Sequence, residues 1–187
     1  SGSLVVEGDY VYAFSHRKRG IVLARWPREA ASAGNLSPLE WYDPPSKSWI
    51  AQTKLAEPPL PICSPGQTEF TVQRQDKFNR YLQVQFIGFP QSAVGYRTAA
   101  QLAGPWSPLE PLFVPEEMLT ADPEVMLYAG KLHPEQTAQG IALTYASNSF
   151  GLARVVDDAS LYYPRFAQVQ IPGVVNPEAK PPHTAPR

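Results

Sequence analysis

The sequence predicts an all-β fold made of three repeats, each a sheet of three or four antiparallel strands. Three observations support this prediction. Proline accounts for 21 of the 187 residues, and this residue is excluded from helix interiors and from central positions of a sheet. Short runs that alternate apolar and polar residues are frequent, whereas long runs of helical periodicity are missing. The runs also recur along the chain.

The first repeat contains four strand candidates and one short helical piece. The runs "DYVYAFS" (9–15) and "GIVLARW" (20–26) flank the polar turn "HRKR", which predicts a hairpin. The strand "SLVV" (3–6) precedes the hairpin, and "LEWYD" (39–43) follows it. Between the hairpin and the strand at 39–43, the segment "PREAASAGNL" (27–36) predicts a turn or two of helix.

The second and third repeats also consist of successive strand candidates. The second has four strand candidates and a short helical piece: "EFTVQ" (69–73), "RYLQVQF" (80–86), "AVGYRTA" (93–99), "PLFV" (111–114) and the helical "PEEMLTA" (115–121). The third has three strand candidates: "VMLYAGKLH" (125–133), "GIALTYAS" (140–147) and "YYPRFAQVQI" (162–171). A loop is expected between the last two.

Two features mark these segments as copies of one unit. A strand of aromatic or bulky apolar residues begins at Tyr10, Tyr81 and Ile141, so the spacing is 71 and then 60 residues. The strand that follows carries one arginine in each copy, namely Arg25, Arg97 and Arg165. A sheet of this size cannot bury both of its faces alone, so the copies stack radially as propeller blades or fold over as a sandwich.

The domain prediction follows from these repeats. Residues 1–172 form one domain with repeats at about 1–60, 61–122 and 123–172. Residues 173–187 are a proline-rich C-terminal tail with little to bury.

Charge and cysteine content exclude several classes of protein. The chain has 16 basic and 17 acidic residues and shows no basic stripe, so we expect neither nucleic acid nor membrane as a partner. No apolar run approaches the length of a membrane span, and no signal peptide is seen. The single cysteine, Cys63, excludes an internal disulfide.

Several of these segments resemble a known group of propellers. The strands "YVYAFS", "GIVLARWP" and "RYLQVQF", and above all "RTA…GPWS" and "HPE…LTY", resemble the later blades of five-bladed β-propeller glycosidase-like proteins. These proteins belong to a bacterial and fungal family known as a domain of unknown function and related to endo-arabinanases. The resemblance covers nearly everything from Ser3 to Gln170.

The resemblance implies a carbohydrate-active propeller, like a glycoside hydrolase of the arabinanase type, that contacts a glycan in its central funnel. The alternative is a non-catalytic propeller that binds a glycan or a protein. A secreted or periplasmic location is expected. Because the sequence holds three repeats rather than five, either N-terminal blades are missing from it or a second copy completes the ring as a homodimer.

Glu69 is the candidate catalytic residue. It stands at the head of the strand that the resemblance places at the funnel wall, where related propellers carry a general acid. Glycoside cleavage needs two carboxylates, one protonated and one ionised, and no convincing second one is found in the sequence. The alternative is that Glu69 pairs with Arg97 or another cation and joins neighbouring blades.

His133 is the second candidate. The resemblance places it on the innermost strand of the last blade, sometimes beside a metal ion in related proteins, so calcium near His133 is expected as the only candidate cofactor. Pro134 restricts the backbone of His133 to an extended conformation. The alternative is a structural histidine that is hydrogen-bonded to a loop carbonyl.

Three further residues are candidate sugar contacts. Arg97 and Arg165 lie among aromatic residues, where a guanidinium group could hold a sugar or a carboxylate. Trp106 in "AGPWS" could form a platform for a sugar ring. The alternative for all three is that they hold adjacent blades together.

Overall fold

A computed structural model of the chain describes residues 2–18, 20–89, 92–119, 123–137 and 140–171. Within these ranges, twelve strands form three antiparallel sheets and the helices have six residues or fewer. The predicted all-β class with three antiparallel sheets is therefore confirmed. The predicted tail at 173–187 lies outside the described residues, and the repeat boundaries at 60 and 122 stay predictions.

Sheet 1 has one strand more than the three or four expected for a repeat. Its strands follow the chain order: β1 (Ser3–Glu7), β2 (Tyr10–Arg17), β3 (Gly20–Pro27), β4 (Glu40–Asp43) and β5 (Ser48–Ala51). The short α1 (Arg28–Ser32) lies between β3 and β4, inside the predicted helical piece. The fifth strand has only four residues, which is too short to show periodicity. A turn in which Asp43 Oδ2 accepts from the Ser46 backbone N–H (3.1 Å) brings it back onto β4.

Sheets 2 and 3 are four-stranded and three-stranded. Their strands are β6 (Phe70–Gln75), β7 (Arg80–Ile87), β8 (Ala93–Ala99), β9 (Glu110–Phe113), β10 (Val125–Thr137), β11 (Gly140–Ser149) and β12 (Arg165–Val169). The predicted helix after β9 is present as α2 (Glu116–Leu119). The connection between β11 and β12, expected to be a loop, contains α3 (Leu152–Asp157), a helix too short for its period to be detected.

Sheet 2 is the middle layer, because both of its faces are buried. In β7 every residue from Tyr81 to Phe86 is buried. Successive side chains of a strand point to opposite faces. Tyr81 therefore packs with Phe14 and Leu23 of sheet 1, and the next residue of β7 packs with Leu143 of sheet 3. The order of packing is sheet 1, sheet 2, sheet 3.

The first strands of the three sheets lie side by side. The hydroxyl of Ser3 in β1 donates to the carbonyl oxygen of Val72 in β6 (3.2 Å). The same hydroxyl accepts from the backbone N–H of Val72 (2.9 Å). On the other side of β6, Gln73 Nε2 donates to the carbonyl oxygen of Leu132 in β10 (2.8 Å). Three sheets that meet along their first strands have the arrangement of propeller blades around an axis. We call β1, β6 and β10 the inner strands.

The two ends of this assembly differ in what they carry. We call the end where the inner strands begin the leading end, and the opposite end the trailing end. Because the strands alternate in direction, the β2–β3, β7–β8 and β11–β12 connections also lie at the leading end. Across the described residues, the helices are too short and too polar to span a membrane.

Candidate functional site

Glu69 immediately precedes the inner strand β6, so it lies at the leading end beside the axis. Its side chain is half-buried. Phe70 and Val72, which follow it, are buried against sheet 1. Among the residues that the structure describes, Glu69 takes part in no hydrogen bond or ion pair, and none joins it to Arg97. Its carboxylate is therefore free to meet a ligand.

The segment that leads into Glu69 is held against sheet 1. The backbone N–H of Ile21 in β3 donates to the carbonyl oxygen of Cys63 (3.0 Å), and the Ile62 N–H donates to the Ile21 carbonyl oxygen (2.7 Å). These two bonds attach the loop before Glu69 to β3 like a short extra strand. The position of Glu69 is thus set by sheet 1 as well as by its own sheet.

Arg97 holds the same segment from sheet 2. Its side chain is only 1% exposed, and its guanidinium donates to the carbonyl oxygens of Ser64 (3.3 Å) and Pro65 (2.6 Å). Burial raises the pKa of the neighbouring Cys63 thiol, and the positive charge of Arg97 partly offsets this rise. A guanidinium buried in this way joins two blades and positions the loop before Glu69. This geometry corresponds to the alternative given above for Arg97, in which it holds adjacent blades together.

Two buried glutamines extend the polar layer behind this loop. Gln83 lies opposite Arg97 in the β7–β8 pairing, and both Gln83 and Gln85 are 1% exposed. Gln83 Nε2 donates to Gln85 Oε1 (3.0 Å). Buried polar groups usually find hydrogen-bond partners, but within the described residues Gln83 Oε1 and Arg97 Nε have none. The layer is closed to solvent and supports the site from behind.

His133 lies on the inner strand β10, as expected, but away from Glu69. Its Nε2 is 2.8 Å from Thr144 Oγ1, on the face of sheet 3 opposite to the buried Leu143. The preceding residue contacts Gln73, four residues along the chain from Glu69, which corresponds to roughly 13 Å of strand. The structure does not bring His133 and Glu69 together.

No metal site is apparent in the described ranges, where no group of three or more His, Cys, Asp or Glu side chains could hold an ion. Calcium prefers six to eight oxygen ligands, and the hydrogen-bond partner of the His133 ring is a single hydroxyl. His133 and Thr144 alone do not supply such a set of ligands. Calcium near His133 stays a prediction.

Trp106 packs in the core between sheets 1 and 2. Its ring meets Phe14 edge-on, with the ring centroids 6.2 Å apart. Its indole N–H donates to the carbonyl oxygen of Leu102 (3.2 Å). These contacts match the blade-packing alternative for Trp106.

Arg165 takes part in a cluster that sequence reasoning did not find. Its Nε lies 3.0 Å from Glu117 Oε1, and its Nη2 donates to the Ser160 carbonyl oxygen (3.0 Å). Tyr145 donates its hydroxyl to Glu117 Oε2 (3.1 Å). Burial, assisted by the charge of Glu117, raises the pKa of Tyr145. The only signal in the sequence was a carboxylate pair in a short helical piece, which usually faces solvent.

Four exposed aromatic rings lie at the leading end. Phe89 (62% exposed) follows β7, and Phe150 (57% exposed) follows β11. Their rings meet edge-on, with centroids 6.0 Å apart. Tyr162 and Tyr163, exposed by 68% and 66%, lie in the same connection as Phe150. Large apolar groups left in solvent mark interaction sites. Phe89 and Phe150 stand outside the alternating runs. Tyr162 and Tyr163 were expected to begin the strand "YYPRFAQVQI", but that strand starts only at Arg165.

The trailing end, by contrast, carries a charged network. Arg74 donates to Glu7 (2.8 Å) and Asn79 (2.9 Å) and forms an ion pair with Asp76 (2.7 Å). Tyr81 donates its hydroxyl to Glu7 (2.6 Å). Because these charged groups bind one another, the leading end is the better candidate for a ligand.

Comparison with solved structures supports the fold. A "putative hydrolase" from Bacteroides ovatus ATCC 8483 matches with a TM-score of 0.61 and 16% sequence identity, over 88% of this chain and 43% of that protein. An exo-β-1,3-galactanase from Clostridium thermocellum (TM-score 0.46, 10% identity, 90% and 36% covered) and an arabinanase from Bacillus subtilis (0.45, 14%, 81% and 51%) also match. The chain thus spans less than half the length of the Bacteroides protein.

Comparison at the level of sequence adds a family but no characterised relative. No curated protein matches the sequence. Residues 1–150 match the family model "Domain of unknown function (DUF4185)". This match covers most of the chain, so the protein belongs to the DUF4185 family.

Proposed function

We propose that this chain is part of a carbohydrate-active, glycoside-hydrolase-like propeller and that it contacts a glycan at the leading end of its central funnel. The fold similarity to the Bacteroides "putative hydrolase" supports the general class. Fold alone does not carry function, so the proposal depends on the site.

One observation carries the proposal: an unpaired carboxylate and four exposed aromatic rings share one end of the sheets. A sugar ring offers hydroxyl groups at its rim and C–H groups on its faces. Glu69 can accept hydrogen bonds from the hydroxyl groups, and aromatic rings can pack against the C–H faces. Binding sites commonly combine aromatic walls with a few placed polar groups.

Hydrolysis would need more than Glu69. In the proposed reaction Glu69 donates a proton to the glycosidic oxygen, and a second, ionised carboxylate about 5–10 Å away acts as nucleophile or base. The acids at the trailing end, Glu7 and Asp76, are paired with Arg74. The proposal places the partner carboxylate of Glu69 elsewhere in the complete particle.

A protein-binding propeller is the second candidate, and α3 favours it. This helix exposes Leu152 (78%) and Val156 (75%) on neighbouring turns of one face. Exposed aliphatic groups fit a protein partner better than a sugar.

The test compares the parent protein with Glu69→Gln and with the matched control Glu29→Gln, which changes an exposed glutamate on α1. Each is titrated with arabino-, galacto- and xylo-oligosaccharides, and reducing-end release is measured. We expect the parent to bind at least one series. Glu69→Gln should weaken binding about tenfold, the loss expected for a hydrogen bond of roughly 1.4 kcal/mol.

Stability separates this role from a structural one. A binding residue can be replaced with no loss of stability, or with a gain, whereas a blade-joining carboxylate would cost about 1 kcal/mol. A parent protein that binds none of the three series would contradict the proposal. Hydrolysis by the parent that disappears in Glu69→Gln would identify an enzyme, and binding without hydrolysis would identify the non-catalytic alternative.

A further inference from the structure

A cleft opens at the leading end, between sheets 2 and 3. One wall is the chain from the end of β9 through the start of α2, and the other is formed by β11 and β12. We call this the outer cleft. Its lining includes Phe113, Glu116, Glu117, Tyr145 and Arg165.

The polar groups of the outer cleft are arranged in advance of any ligand. The side chain of Glu117 is 17% exposed and that of Arg165 is 34% exposed. Glu117 binds Arg165 through one oxygen and Tyr145 through the other. An ionised carboxylate has about four acceptor positions, so a group such as Glu117 can accept from more than one donor at a time. The phenol of Tyr145 donates to Glu117 and keeps it in place.

The distance of the outer cleft from the axis decides which ligands could reach both the cleft and Glu69. Tyr145 belongs to the second strand of sheet 3 and Arg165 to the third. Neighbouring strands are about 4.8 Å apart, so the cleft lies roughly 5–10 Å outward from β10. It opens at the same end as Glu69. A ligand that extends radially from the funnel across this end would meet it.

We propose that the outer cleft is a second sugar-binding site for the same glycan, so that the protein takes a neutral oligosaccharide and not a single sugar. This inference rests on the proposed function. The cleft carries two carboxylates, Glu116 and Glu117, against one guanidinium, so its net charge of −1 disfavours an acidic sugar. Neutral hydroxyl groups can donate to Glu117 and accept from Arg165.

The experiment measures the dependence of affinity on chain length. The disaccharide and the hexasaccharide of arabinose, and those of galactose, are titrated into the parent protein and Tyr145→Phe. This substitution removes the hydroxyl bound to Glu117 and keeps the ring. Tyr96→Phe is the matched control, because Tyr96 donates in the same way to Glu110 (3.2 Å), at the far end of β9.

We expect the parent to bind a hexasaccharide about tenfold more tightly than its disaccharide, the gain expected from roughly 1.4 kcal/mol of added contact. Tyr145→Phe should reduce this ratio severalfold, and Tyr96→Phe should leave it unchanged. Glu117→Gln, which keeps the shape of the side chain, should reduce it as well and serves as a second variant if Tyr145→Phe folds poorly.

Equal affinity of the parent for both lengths would overturn the inference while leaving the proposed function intact. So would an unchanged ratio in folded Tyr145→Phe or Glu117→Gln, since Glu117, Tyr145 and Arg165 would then only join sheets 2 and 3. A parent protein that binds neither length of either sugar, and no xylo-oligosaccharide, would overturn the proposed function itself, and this inference with it.

Discussion

At the scale of single residues, Arg97 supports the site without facing it. Its planar guanidinium has five donors in a fixed fork, and two of its nitrogens bind successive carbonyl groups of the loop before Glu69. Lysine, with one nitrogen at the end of a flexible stem, could not hold both carbonyls in the same way. The arginine of this strand is therefore suited to fixing a loop between two sheets.

Tyr81 gives the first residue-scale prediction, which concerns alkaline pH. Burial, assisted by the bond to Glu7, raises the pKa of Tyr81 to about 12 from its ordinary value of 10.0. In the unfolded chain this tyrosine loses its proton near pH 10, and in the folded protein near pH 12. Stability from this group is complete below pH 10 and is lost as the pH rises through that window.

We therefore expect the free energy of unfolding to fall more steeply above pH 10 in the parent than in Tyr81→Phe, as measured by urea denaturation at a series of pH values. Tyr163→Phe, which changes an exposed tyrosine, is the control and should follow the parent. Identical slopes for the parent and Tyr81→Phe would contradict the role of Tyr81.

At the scale of elements, the attachment of the 61–66 segment to β3 depends on a close approach of two backbones. A Cβ atom added at Gly66 would lie 2.9 Å from the carbonyl carbon of Gly20 and 3.0 Å from its oxygen. Backbone atoms in a sheet cannot move aside as a flexible side chain can. The segment sits this close only because residue 66 has no side chain.

Gly66→Ala should consequently destabilise the protein by about 1–3 kcal/mol, the usual cost of overpacking, and should also weaken glycan binding because Glu69 moves with the segment. Gly130→Ala is the control, since its Cβ would meet only the Phe86 ring at an ordinary 3.4 Å. Urea denaturation and the oligosaccharide titration measure the two effects. A Gly66→Ala protein as stable as the parent would show that the segment can shift without cost.

At the scale of the whole molecule, the two outer sheets each have one face without a neighbouring sheet in the described chain. On β1, Leu4 and Val6 point away from sheet 2 and are 68% and 56% exposed. On β12, Phe166 is 82% exposed. Apolar faces of this kind are seldom left open to water. We expect a second copy or further blades to cover them.

For this chain alone, the expectation is self-association through these faces, detected by light scattering as a mass that rises with concentration. Leu4→Lys should shift the mass towards that of one copy, because a charge on the contact face is costly to bury. Leu36→Lys changes a leucine that is 60% exposed outside the sheets and should have no effect. A compact monomer at all concentrations would favour a ring closed by three sheets.

The sequence by itself determined the local part of this structure. In β11 the alternation of residues matches the alternation of burial, so that Ile141 and Leu143 are buried and Ala142 and Thr144 are half-exposed. Strand periodicity is a property of neighbouring residues, and it can be read without knowledge of the rest of the chain. The strand that follows Glu69 was found in the same way, whereas its place beside the axis was implied by the resemblance to propellers. Short elements such as β5 and α3 were missed because they are shorter than the period that would reveal them.

Tertiary structure alone decided which side chains meet. Arg97 and Arg165 occupy equivalent strands and look alike in sequence, yet the first is buried on loop carbonyls and the second binds Glu117 beside an open cleft. The difference arises from the segments that pack over each strand. The partner of Arg97, Ser64, is more than 30 positions away in the chain, and the partner of Arg165, Glu117, is 48 positions away. Contacts over such separations depend on how sheets stack and how loops return, which no local pattern of residues records.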